Sequence, residues 1–75
     1  MTHTLLDVPC GKSAVVARVI ADDPIRARLL DLGFAKGREV MCLFPSPLGD
    51  PRAYRVLGTV IALRAEDARR VETAL

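Results

Sequence analysis

Aromatic residues are scarce in this chain of 75 residues: tryptophan is absent, and Phe34, Phe44 and Tyr54 are the whole aromatic complement. A base-stacking platform needs aromatic faces beside a basic groove. Eleven Lys and Arg against nine Asp and Glu leave a formal charge of +2, with the basic residues scattered rather than gathered in a run. Together these shortages argue against a dedicated nucleic-acid binder. Histidine occurs once, as His3, and no Ser, His and Asp set or paired carboxylates can be traced, so no enzyme is expected. Cys10 and Cys42 are far apart in sequence, in neither CxxC nor zinc-type spacing, and read as two reduced thiols of a cytosolic protein. Long apolar runs are missing too. The stretches AVVA and VIAL fall far below the roughly 20 residues that span a membrane, and MTHTLLDVPCGK lacks the basic and apolar regions of a signal peptide. Any membrane role is expected to be indirect, through a partner.

What is present, 51% hydrophobic and 27% charged residues, fits one small domain over residues 1–75. A domain of this size buries roughly 60% of the surface of its unfolded chain, too little to enclose a substrate pocket. The segment SAVVARVI, from Ser13 to Ile20, is rich in β-branched residues, with Ala14 and Val16 alternating inward before Val19 breaks the period. This predicts a strand with a bulge near Ala17 or Arg18. In DDPIRARLLDLG, Asp23 is placed to cap and Pro24 to open a helix over about 24–32. Ile25, Leu29 and Leu32 then form its buried stripe, which turns Leu30 outward.

RLLDLGFAKG sets two glycines around a phenylalanine where that helical pattern stops. Gly33 is expected at positive φ just past the helix end, with Phe34 folding back on Leu29, and Gly37 is expected to turn the chain into the next strand. A phosphate-loop reading fails, since GFAKG follows a helix and lacks the required spacing. REVMCLF alternates Val40, Cys42 and Phe44 on an inner face against Met41 and Leu43. The proline-rich PSPLGDP is expected as an exposed hairpin tip. AYRVLGTVIALR supplies two strands with a bend or bulge at Gly58. The tail AEDARRVETAL fits two patterns, a helix through Ala68, Val71 and Leu75 or a strand through RVETAL, and the preferred reading is a short helical turn near 66–69 followed by a closing strand from about 70 to 74. The sum is mainly β: a small antiparallel barrel with one short inserted helix.

His3, Asp7 and Cys10 are possible ligands, but their spacing matches no standard metal site, and no metal or cofactor is expected. Arg28 is expected to pair with Asp31 on the solvated face of the helix. The apolar residues left after the core is assigned carry more information. Leu30, turned away from the helical stripe, Leu48, held at the loop tip by Pro45, Pro47 and Pro51, and Tyr54, at the base of that loop, are the candidate partner-binding residues. Asp23, Gly33, Gly37 and Gly58 are the structural cap and turn residues.

The order of CGKSAVVARVI, RARLLDLGFAKG, REVMCLF, YRVLGTVIALR and AEDARRV resembles the FeoA family of ferrous iron transport accessory proteins over nearly the whole chain. Arg28, Leu29, Leu32, Gly33 and Gly37, followed at the right distance by Gly58, Ala62, Leu63, Arg64 and Ala68, are its most specific part. Lys36 and Thr73 depart from the usual pattern and leave the Gly37 turn intact. The resemblance implies an SH3-like barrel that acts in the cytosol with FeoB, a membrane ferrous iron transporter bearing a GTPase domain; separately, a monomer is expected in isolation. A related barrel closes DtxR-type metal-dependent repressors, so fold alone leaves open a stand-alone relative of that domain or an RNA-binding barrel. The lack of a helix-turn-helix segment favours transport.

Overall fold

Short β-branched segments separated by glycine and proline pair here into one antiparallel sheet. The computed structural model describes residues 3–74. Six strands run as β1 (His3–Thr4), β2 (Ser13–Val19), β3 (Glu39–Pro45), β4 (Arg52–Val56), β5 (Thr59–Leu63) and β6 (Val71–Ala74), in the spatial order β1-β6-β2-β3-β4-β5. The last strand therefore lies between β1 and β2, which brings both ends of the chain into one part of the sheet. Helix α1 (Ile25–Asp31) is inserted between β2 and β3, and the single turn α2 (Ala65–Ala68) leads into β6.

The core is apolar throughout: Val16, Val19, Leu29, Phe34, Val40, Tyr54, Val56 and Val71 are all buried, and among the described residues no charged one joins them. A 3-10 turn, Leu5–Asp7, brings Leu5 into this cluster. Thr4 sets up the turn reciprocally, its Oγ1 accepting from the Leu6 amide at 3.3 Å while Asp7 Oδ2 accepts from the Thr4 amide at 2.8 Å. Buried Tyr54 Oη donates to Leu5 O at 3.4 Å, and Arg52 Nη1 donates to Leu6 O at 3.2 Å. The turn is thus fixed to β4, far away in sequence.

The bulge in β2 lies where alternation fails: Val16 faces Thr73 and Arg18 faces Glu72, leaving Ala17 unmatched. Both Val16 and Val19 consequently point inward. At the end of α1 the Phe34 amide bonds to Leu29 O at 3.1 Å and the Gly33 amide to Leu30 O at 3.0 Å. These are the two bonds of a Schellman motif, with Gly33 at φ +112°. Gly37, at φ +89°, donates to Val16 O, and Val16 in turn donates to Arg38 O, both at 2.8 Å. This steers the chain from the helix into β3.

Five expectations need correction. Asp23 does not cap α1: Pro24 occupies the cap position without a side-chain bond, and the Arg26 and Arg28 amides are taken by Asp22 O and Pro24 O. Leu32 is 36% exposed, because α1 ends before it and the Schellman turn leads the chain away, so Ile25 and Leu29 alone form the inward stripe. A second bulge, at Leu43, shifts the register between Cys42 and Phe44. The extra residue reverses the alternation, and Phe44 emerges 59% exposed. Gly58 marks no bend within a strand; with Leu57 it forms a two-residue hairpin turn, both at positive φ (54° and 75°), across which Val56 pairs with Thr59. Arg28 reaches Asp67 on α2 at 2.7 Å instead of Asp31, tying the two helices together.

Candidate partner-binding surface

Three residues carry the sequence-based expectation of a partner surface, and the fold treats each differently. Leu48, in the loop from β3 to β4, is 95% exposed. That loop is braced by the Ser46 amide on Pro51 O at 2.9 Å and the Gly49 amide on Ser46 O at 2.8 Å. Asp50 adds a third tie, its Oδ1 accepting from the Ala65 amide at 2.7 Å where α2 begins. Leu48 is therefore an apolar tip on a preordered support.

Leu30 lies near the C-terminal end of α1 and is 37% exposed. The turn between β4 and β5 meets the same end of the helix. A Cβ on Gly33 would stand 2.9 Å from Leu57 Cδ1, so Leu57 packs directly over the helix cap. Leu57 is nevertheless 58% exposed and holds φ +54°, a conformation that a branched apolar residue seldom adopts. Asparagine suits this turn position better, which makes Leu57 a candidate contact residue. The sequence holds the signal, since Gly58 follows a residue that a two-residue turn would place at positive φ.

Tyr54 belongs to no surface. Its ring is fully buried among the strands, and burial first, then the neighbouring Cys42, pushes its phenol above the ordinary range. The pairing of Tyr54 with both Cys42 and Ile61 turns it inward, so its place beside the loop does not expose it. The structure also keeps Leu30 and Leu48 apart: β4 runs from the Leu48 loop to the Leu57 turn, placing them near opposite ends of that strand. Phe44 is a surface residue that the alternation of its strand conceals. It pairs with Ala53, which is buried, and Ala53 pairs with the exposed Ala62, so Phe44 and Ala62 flank a covered alanine across β3, β4 and β5.

Among the described residues, no three His, Cys, Asp or Glu side chains come together as a metal-holding group, and His3, Asp7 and Cys10 do not form one. No helix among them is long and apolar enough to cross a membrane. The fold is a small SH3-like module, mainly antiparallel β-sheet with two short helices and several exposed apolar side chains. Residues 3–74 match the FeoA domain model, and the chain belongs to the FeoA family. It is 35% identical over 71 residues to an Fe(2+) transport protein A/Fe(2+) transporter FeoB fusion protein of Porphyromonas gingivalis, covering 95% of this chain. The match spans 8% of that relative's length. Among solved structures, the zinc-complexed FeoA of Stenotrophomonas maltophilia, described as a prokaryotic SH3 domain protein, superposes with a TM-score of 0.84 at 41% identity, covering 95% of this chain and 88% of that one. FeoA of Chlorobium tepidum gives a TM-score of 0.87 at 30% identity over 96% of this chain and 69% of that one.

Proposed function

We propose that this chain is a non-catalytic accessory of ferrous iron uptake that docks on the cytosolic GTPase-bearing part of a FeoB-type transporter and modulates its activity or assembly. The observation that carries this reading is the relative in which a homologous segment and a FeoB transporter are one polypeptide. Covalent fusion raises the effective concentration of two modules that act together, and a separate chain must replace the linker with a binding surface. Its membrane connection is then indirect, its place is the cytoplasm, and it is a monomer until it meets its partner.

The docking face centres on Leu30 and Leu57 at the capped end of α1, with Leu48 as a second point of contact. Titration of the FeoB cytosolic domain with the purified chain, followed by calorimetry and by GTP hydrolysis, tests the reading. Leu30→Gln and Leu57→Asn are expected to weaken binding by more than about 1 kcal/mol each, while Leu57→Asn leaves the fold as stable as before or more so. Leu48→Asp should have the same effect on binding. No measurable association of the wild-type chain would refute the docking. Undiminished binding by all three variants would move the surface to the face around Phe44.

A further inference from the structure

Cys10 and Cys42 are 32 positions apart in sequence, yet their Sγ atoms are 3.1 Å apart. The backbone explains the encounter. Lys12 donates to Pro9 O at 3.0 Å, closing a turn whose second and third residues are Cys10 and Gly11, and Gly11 takes φ +90° as the third residue of a type II turn does. This turn is then hydrogen-bonded to β3 at Cys42 itself, whose carbonyl accepts from the Gly11 amide at 2.7 Å and whose amide donates to Lys12 O at 2.9 Å. Two backbone bonds thus hold the exposed thiol of Cys10 over the buried thiol of Cys42.

We infer that Cys10 and Cys42 form an oxidisable dithiol site whose co-reactant is a small hydroperoxide and whose product is an intramolecular disulfide. The roles follow from access. Cys10, open to solvent, attacks the peroxide as its thiolate: a sulfur–oxygen bond forms, the oxygen–oxygen bond breaks, and the alcohol or water leaves with a proton from solvent. The sulfur of Cys42 then displaces hydroxide from the Cys10 sulfenic acid, and the Cys42 proton joins that hydroxide as water. In sum, two thiols give up two electrons to one hydroperoxide. Burial, and then the adjacent Cys10 sulfur, pushes the Cys42 thiol up to about 11, so Cys42 is not the sulfur that meets the peroxide, and it attacks the sulfenic acid only as its proton passes to the departing hydroxide. Arg52, held on Leu6 O, opposes this shift and supplies a positive charge beside the pair.

The linkage would join the turn 9–12 covalently to β3 and close a loop of the folded chain without dismantling the sheet. The test treats the reduced full-length chain with stoichiometric hydrogen peroxide and reads intact mass, free thiols, the cross-linked peptide and thermal melting. The expected product is a monomer lighter by two hydrogens, with no free thiol and a Cys10–Cys42 peptide. Its melting temperature should rise by about 10 °C or more, and a dithiol reductant should reverse both changes. Cys10→Ser, at an exposed position, should block the mass loss and leave Cys42 titratable on unfolding. Oxygen addition at Cys10 with Cys42 still free, disulfide-linked dimers as the main product, or no reaction would each overturn the inference.

Discussion

Replacing Gly33 by alanine tests whether the turn that ends α1 is held by backbone conformation or by space. Gly33 has φ +112°, and a Cβ there would meet Leu57 Cδ1 at 2.9 Å, Leu57 Cγ at 3.3 Å and Val56 Cγ2 at 3.3 Å. The Leu57 contacts come from a half-exposed side chain that can rotate away, whereas Val56 is 1% exposed and has little room. The larger cost is thus conformational: an L-residue at this φ carries about 1 to 3 kcal/mol of strain. A loss near 2 kcal/mol lowers the melting temperature of a domain this size by about 8 to 16 °C. Gly33→Val should cost more, because its β-branch adds rotamer conflict beside Val56. Gly33→Asn recovers little, since asparagine's tolerance centres near +57° and not +112°. Urea unfolding of Gly33→Ala in the wild-type and Leu57→Ala backgrounds separates the two causes. Strain predicts the same loss in both within about 0.5 kcal/mol. Full recovery in the Leu57→Ala background would show that the clash decides, and an unchanged wild-type melt would refute the strained-cap reasoning altogether.

Two further outcomes follow from the geometry of the barrel. Cys42 holds its proton to about pH 11 when folded against 9.0 in the unfolded chain, so the unfolded state releases a proton first and stability should fall as pH rises from about 9 to 11. The buried Tyr54 phenol, also shifted upward, steepens the same decline; denaturant melts across that range should show it, and constant stability would contradict it. Asp50→Ala removes the bond to the Ala65 amide and should cost about 0.5 to 2 kcal/mol. The same variant should speed amide exchange around Leu48, and unaltered exchange there would mean that the prolines alone brace the loop.

Features set by neighbours along the chain are legible in the residues themselves. Gly33 followed by Phe34 announces a Schellman end because a left-handed residue and an apolar return are required within two positions. The inserted helix and the bulge at Ala17 are readable for the same reason, whereas the tail fits a helix or a strand alike and its pairing with β1 and β2 decides for β6. Thr4 with Asp7 carries an equally local capping signal, which the hydrophobic period alone passes over. Tertiary pairing decides the rest. The inward alternation of Val40 and Cys42 predicts a buried Phe44, but the register with β4 inserts the Leu43 bulge and turns that ring outward. Tyr54 beside an exposed loop is buried because two neighbouring strands fix its direction and the Leu5 turn covers it. Arg28 finds Asp67, and Cys10 finds Cys42, across 39 and 32 positions. No period in the sequence encodes such encounters, since they exist only after the sheet has chosen its strand order and register.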